Sequence, residues 1–384
     1  MNSAFFLVLR RMRAPIIVLI VIYAIAVIGL TLVPGVDAEG KVAAPLSFFH
    51  AFYFVSYTAT TIGFGEIPNA FSDAQRLWVT ICIYLTVVGW SYSVVTLIAL
   101  LQDKGFQNTL TTNRFVRRIH HLKEPFYLVC GCGETGNLIC RTFDRTNQAF
   151  VVIEKDELRV QELDLQDFKT DTPALAADAR QPDNLLLGGL KHAKCRGVLA
   201  ATNDEESNLA IAIAVRLLNP NIPVIARVRS APLAANMASF GTNHIINPYE
   251  RFAEHLAMAV AAPERFRLTE LLTSLPETPM PAPHRPPKGH WILCGYGRFG
   301  HAIASRLAAT GIRLTIIDPK AADADHRIPG DGTEAHTLLQ AGISNAAGII
   351  AGTDNDVNNL SIAVTAHQLN PALFVVARQN HSAN

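Results

Sequence analysis

Thr58-Ala59-Thr60-Thr61-Ile62-Gly63-Phe64-Gly65-Glu66 lies between two long apolar runs and follows a short, helix-like one. Gly63 and Gly65 alternate with Ile62 and Phe64. Glycine reaches φ > 0 without steric cost. The spacing therefore allows an extended chain with its carbonyls turned to one side. A ring of such carbonyls can replace the water around a dehydrated cation. Thr61 would add a hydroxyl at the inner end, and Ile62 and Phe64 would pack behind. A glycine-containing turn between two helices is the simpler reading.

No charged residue occurs between Arg13 and Asp37 or between Arg76 and Asp103. Ala14–Val33 is about 20 residues, roughly 30 Å as a helix and long enough to cross a bilayer. Leu77–Leu101 is the second span. A charge at mid-bilayer costs roughly 2.5–3.5 kcal/mol, so two clean windows are informative. The first is too long for a signal peptide and lacks a small-residue cleavage site. Arg10, Arg11 and Arg13 precede the first span, and Lys104, Arg114, Arg117 and Arg118 follow the second. Both termini are thus expected in the cytoplasm, with Glu66 outside. Leu46–Thr60 is apolar but too short to span. It reads as a re-entrant helix starting near Pro45 and Ser47, its negative dipole end favouring a cation. There is no Arg-rich helix of the voltage-sensing kind.

The stretch resembles the pore of a potassium channel, whose filter reads Thr-Val-Gly-Tyr-Gly. The resemblance implies a homotetramer in a lipid bilayer, with a selectivity filter made of Thr60, Thr61, Ile62, Gly63, Phe64, Gly65 and Glu66. Potassium ions would be held by the carbonyls of Thr61, Ile62, Gly63 and Phe64 and by the Thr61 hydroxyl. Phe64 stands where the family usually has Tyr, and Glu66 where it has Asp. Four copies of Glu66 could form a carboxylate ring at the mouth, or each could hydrogen-bond behind the filter. The Tyr57 hydroxyl could brace the filter. Gly89, in the middle of the second span, is either a gating hinge or a point of close helix packing.

The 384 residues suit two or three domains. A net charge of +1 gives no electrostatic reason to expect nucleic acid. Six cysteines without a Cys-x-x-Cys pair read as reduced, buried thiols.

Beyond a 104–121 linker, the strand Phe126–Cys130 runs into Gly131-Cys132-Gly133-Glu134-Thr135-Gly136 and a helix; the next strand, Ala149–Ile153, ends at Glu154. This Gly-x-Gly-x-x-Gly turn suits a pyrophosphate, and Glu154 a ribose diol, so NAD(H) or an adenine nucleotide is favoured over a 2′-phosphorylated cofactor. The pattern recurs: Trp291–Cys294, Gly295-Tyr296-Gly297-Arg298-Phe299-Gly300, then Leu314–Ile317 ending at Asp318. Gly131 to Gly295 and Glu154 to Asp318 are both 164 residues (295 − 131, 318 − 154). Thr202-Asn203-Asp204 matches Thr353-Asp354-Asn355, and Ala226-Arg227 matches Ala377-Arg378, each at 151 residues (353 − 202, 377 − 226). Two homologous α/β units follow, each a parallel sheet with helices on both faces.

The units resemble RCK domains, the cytoplasmic regulators of potassium conductance. The whole chain is similar to a two-span prokaryotic potassium channel with tandem RCK domains. The expected fold is an α-helical membrane pore (residues 1–103) followed by two Rossmann-like RCK domains, 122–275 and 288–384, joined by a proline-rich linker, 276–287. The resemblance adds Asp178, Ala179 and Asp331 as adenosine contacts. Thr202 and Asn203 either face the cofactor or cap a helix. Asp204-Glu205-Glu206 could hold a divalent ion, with calcium the candidate, or form a solvated first helical turn. Arg298 is either a phosphate contact or solvent-exposed. Ile245–Val260 looks like the strand and crossover helix through which such domains dimerise. Nothing in the second unit matches the 243–274 lobe, so either that unit is abbreviated or the chain continues.

The leading expectation is a potassium-selective channel of the cell (inner) membrane, gated by nucleotide binding to a ring of these domains, and not an enzyme. A membrane-anchored NAD-dependent oxidoreductase needs a substrate domain and a proton-transfer group that the sequence does not offer. A regulatory subunit of a potassium transporter usually lacks its own pore.

Overall fold

A computed structural model describes residues 3–36, 41–66, 70–275, 279, 282, 285–320 and 326–381. Pro276, Pro281 and Pro283 of the expected linker lie outside the described residues. The chain divides into two compact units, Met1–Arg114 and Phe115–Asn384.

The first unit pairs two 30-residue helices, α1 (Ser3–Leu32) and α3 (Asp73–Gln102), around the shorter α2 (Phe48–Ala59). α1 begins well before the apolar window, because the basic Arg10–Arg13 turn is also helical. It stops just short of Pro34, which biases the preceding residue away from helical angles. Ser47 caps α2, accepting the His50 amide at 3.4 Å. Ser72 and Gln75 form a reciprocal capping box at the start of α3. The Ser72 hydroxyl also donates to the Pro34 carbonyl at 2.8 Å, fixing the top of α3 to the end of α1.

Close approach of the long helices depends on two glycines. A Cβ on Gly29 would fall 2.0 Å from the Trp78 ring, and one on Gly89 2.6 Å from Ile22 Cδ1. Gly89 thus serves the close-packing reading. α3 ends at Asp103, whose extended backbone separates it from α4 (Lys104–His121). The Asp103 carboxylate accepts the Phe106 amide at 3.0 Å and pairs with Arg11 at 3.0 Å.

The second unit contains two parallel sheets. The first comprises β1 (Phe126–Cys130), β2 (Ala149–Glu154), β3 (Ala174–Ala176), β4 (Cys195–Ala200), β5 (Val224–Arg227) and β6 (His244–Ile246), in the order β3-β2-β1-β4-β5-β6. The second comprises β7 (His290–Cys294), β8 (Arg313–Ile317), β9 (Arg327–Ile328), β10 (Gly348–Ala351) and β11 (Phe374–Ala377), in the order β9-β8-β7-β10-β11. Both are doubly wound, with the switch point beside the central strand. The crossover helices α5 (Glu134–Arg145) and α12 (Arg298–Ala308) start inside the glycine turns. Apolar residues bury both faces of each sheet, with Phe126, Phe150, Trp291 and Ile292 fully enclosed. All six cysteines are buried and free.

Among the described residues the second sheet has five strands and the first six. The expected dimerising helix, α10 (Pro248–Ala261), is covered within the same chain. Its Ala253, Leu256, Ala257 and Val260 share one core with Trp291, Phe299, Ile303 and Leu307 of the second repeat. The two repeats therefore already pair with each other through this helix.

Candidate functional site

In the filter stretch, φ is positive at Thr61 (64°), Gly63 (65°) and Gly65 (90°) and at none of the residues between them. The glycines meet the sequence expectation. Thr61 was not foreseen, because a β-branched residue at positive φ is strained. An every-second-residue alternation of hand turns successive carbonyls to one side of an extended chain. The Tyr57 hydroxyl donates to the Gly65 carbonyl at 2.5 Å, and the Tyr57 carbonyl accepts the Ile62 amide at 2.9 Å. Phe64 packs edge-on to Tyr57, ring centroids 5.4 Å apart, so this ring lies behind the stretch as expected. Ile62 is exposed on the single chain. The Thr60 hydroxyl turns back to the Ser56 carbonyl at 2.8 Å.

Glu66 takes the second of its two readings. Its carboxylate accepts Arg76 at 2.9 and 3.1 Å and the Phe71 amide at 2.9 Å. The Arg76 hydrogen bond, then the Phe71 amide, hold its carboxyl below the usual carboxylate range. A ring of free carboxylates is not what this geometry offers.

The glycine turns are near copies of each other. Gly131 and Gly295 have φ of 92° and 95°. A Cβ on Gly136 would lie 2.1 Å from the Gly131 carbonyl oxygen, and one on Gly300 2.1 Å from that of Gly295. The first and third glycines thus close the turn and seat the helix. Nothing would meet a Cβ on Gly297 within 4 Å, so the second loop keeps its mouth open.

The acids hold these loops as well as facing them. Glu154, buried, accepts the Cys132 amide at 2.5 Å and the Asp156 amide at 3.0 Å. Asp318 accepts the Tyr296 amide at 2.7 Å and the Lys320 amide at 2.8 Å. Asp318 also lines open space and retains lone pairs for a diol, whereas Glu154 is only 7% exposed.

Both loops line one cleft of about 1700 Å³, with Glu134, Thr135, Asp318 and Asp331 among its walls. Asp331 accepts the Thr333 amide at 2.9 Å. Cys132 and Phe299 also line it, whereas Asp178, Ala179 and Thr202 are not among its walls. Asp178 is gripped by the Arg180 guanidinium at 2.6 Å, which holds its carboxyl below the usual range. Ala179 and the Cys132 side chain are buried in the core. Phe299 packs between Tyr249 and Phe252, at 5.6 and 5.4 Å, so only its backbone can serve a ligand. Thr202 is structural. Its hydroxyl donates to Asn208 at 2.7 Å, and its Cα sits against Gly131. Thr353 and Asn359 repeat that arrangement in the second unit.

The acidic run proves to be a helix start. Asp204 caps α8 (Glu205–Leu218). Glu205 accepts Arg229 at 3.2 Å, the Arg229 and Ser230 amides at 3.0 Å, and Arg298 at 2.8 Å. Burial pushes the Glu205 carboxyl up, but the Arg229 amide and the Arg229 and Arg298 guanidiniums outweigh it and hold the group below its usual range. Two arginines thus occupy the carboxylate that a divalent ion would need. Among the described residues no group of three or more metal-ligating side chains converges.

Sequence reading missed the arginines. Arg141, Arg159, Arg227, Arg229, Arg327 and Arg378 all line the cleft, giving it a strongly cationic wall. Arg227 bonds Asn203 at 3.0 Å, and its counterpart Arg378 pairs with Asp354 at 2.6 Å. The signal was present in the 151-residue offset, which repeats an Arg at the end of the fifth strand of each sheet.

The TrkA-N domain model matches residues 127–248 and 291–384, more than half of the chain. The chain belongs to the TrkA-N domain family. Its two TrkA-N copies coincide with the two sheets. An ion-channel model matches residues 16–103. With two helices long and apolar enough to cross a membrane, this makes it a membrane protein. Potassium channel protein 1 of Methanocaldococcus jannaschii is 26% identical over 241 residues, covering 62% of this chain and 67% of that protein. An uncharacterized protein of Methanothermus fervidus is 28% identical over 249 residues, 65% of this chain but 38% of its own length. Two solved structures share the fold. GsuK bound to ADP has TM-score 0.53 and 23% identity, covering 100% of this chain and 92% of that one. The GsuK channel bound to NAD has TM-score 0.52 and 20% identity, covering 100% and 79%. The jannaschii relative is a potassium channel by name, and GsuK is a channel.

Proposed function

We propose that this protein is a potassium-selective channel of the cell membrane, opened or closed by an adenine nucleotide, NAD(H) or ADP, bound in the cleft of the TrkA-N pair. The observation that carries the reading is the alternation of positive φ at Thr61, Gly63 and Gly65, between two membrane-length helices. Four copies around one axis would close the ring of oxygens from Thr61, Ile62, Gly63 and Phe64. The chain ends would then lie in the cytoplasm with the TrkA-N units. The cationic cleft and the two glycine loops support a phosphorylated ligand, and GsuK, a channel of the same fold, has been solved with ADP and with NAD.

A ligand gates only through its different affinities for two states. If each subunit contributes about 1.4 kcal/mol, four supply about 5.6, enough to take the pore from mostly shut to mostly open. Single-channel recording in a planar bilayer, with ADP, NAD, NADH and calcium perfused on the TrkA-N side, tests the reading. A nucleotide-dependent change in open probability supports it. Potassium currents indifferent to all four ligands would remove the gating half.

A further inference from the structure

The two glycine loops differ at the first residue of their helices: Glu134 opens α5, and Arg298 opens α12. A phosphate seated on the second loop would lie at the N-terminus of α12, where backbone amides and the helix dipole favour an anion. Arg298 belongs to that same turn. Its guanidinium, however, reaches across to Glu205 of the first repeat, at 2.8 Å. Glu205 is the fixed member of the pair. Its side chain is 13% exposed and is also held by Arg229 and by the amides of Arg229 and Ser230. Arg298 is the exposed member, at 56%, with no second carboxylate within ion-pair distance among the described residues.

We propose that the phosphate group of a nucleoside diphosphate or triphosphate on the second loop binds in competition with Glu205 for Arg298. The inference rests on the nucleotide-gating reading above and names the exchange that would couple ligand to structure. When Arg298 swings to the phosphate, Glu205 keeps Arg229 and stays charge-balanced, so the exchange strands no buried charge. What is lost is an ion pair between the two repeats. Occupancy of the second loop is thereby tied to the contact between the repeats, which is what a gating ligand must alter.

The test is titration of ADP into purified full-length protein in detergent, by calorimetry, for wild type, Glu205→Gln, Arg298→Ala and the double variant. Glu205→Gln frees Arg298 and should tighten ADP binding about three- to fivefold, the scale of one partly exposed ion pair. Arg298→Ala should weaken binding, and in its background Glu205→Gln should have no further effect. Glu205→Asp, which keeps the charge on a shorter arm, should tighten binding by less and serves if the Gln variant does not fold. Unchanged or weaker ADP binding in both Glu205 variants, with wild type still binding, overturns the exchange and leaves nucleotide gating standing. No ADP binding to wild type overturns the exchange and, with it, the ADP half of the gating reading.

Discussion

The Glu66 carboxylate meets the Arg76 guanidinium at two points, 2.9 and 3.1 Å, just beyond the filter stretch. The pair turns a potential ring of mouth charges into a brace between the filter and the start of α3. A depressed carboxyl contributes stability above its unfolded pKa and loses that contribution as pH falls through the folded value. Glu66 is of this kind. Potassium flux in wild type should therefore be level from neutral pH down through the ordinary carboxylate range. In Arg76→Gln the midpoint of acid loss should move up towards that range. Flux into vesicles at stepped external pH checks this, and identical profiles would mean that the pair does not set the mouth's charge.

Tyr57 braces the filter from behind through its bond to the Gly65 carbonyl. Tyr57→Phe keeps the ring and removes one hydrogen bond, worth about 0.5–1.5 kcal/mol. Expression and assembly should be preserved, while preference for potassium over sodium falls. Reversal potentials under mixed ions measure the change, and unaltered selectivity would make the bond incidental.

Gly29 and Gly89 both mark close helix contact, but their neighbours differ. A methyl at Gly29 meets the rigid Trp78 ring, whereas one at Gly89 meets the flexible tip of Ile22. Overpacking of this type costs about 1–3 kcal/mol where the neighbour cannot move. Gly29→Ala should lower the melting temperature clearly and Gly89→Ala only slightly. If Gly89→Ala leaves stability intact but changes open probability, the glycine also bends in gating.

Glu154 and Asp318 each accept one backbone amide from a glycine loop and one from the turn just after themselves, so removing either does more than delete a ligand contact. Glu154→Ala strands buried donors at a cost of about 1–3 kcal/mol. A lower melting temperature is expected alongside weaker nucleotide binding. Glu154→Gln and Asp318→Asn keep one acceptor and separate the roles. Each should weaken NAD or ADP binding at its own loop, with a smaller fall in melting temperature than the alanine variant gives, because one of the two amide bonds is kept. Full binding in both would place the ligand elsewhere.

Much of this molecule could be read from its residues. β1 spans Phe126–Cys130 as expected, because a strand buried on both faces is a continuous apolar run and Gly131 ends it. The repeat register fixed both Rossmann units for the same reason. What escaped reading depended on partners distant in sequence. Glu66 had two options until Arg76 folded back beside it. The six missed cleft arginines come from six separate elements or turns, and no local pattern marks their convergence. Phe299 sits in a glycine loop yet points into the core, because α10 supplies Tyr249 and Phe252 to receive it. α10 read as the helix through which such domains dimerise, but its apolar face does not say that the second repeat of the same chain will cover it.

Selective permeation is the claim on which the rest turns. Purified protein in liposomes, loaded with potassium and diluted into sodium, should pass potassium far faster than sodium. Gly63→Ala, which forces a side chain onto a residue at φ 65°, should abolish the difference without preventing assembly. Equal leakage of both ions from wild type, or no flux with ADP, NAD or neither present, would contradict the account.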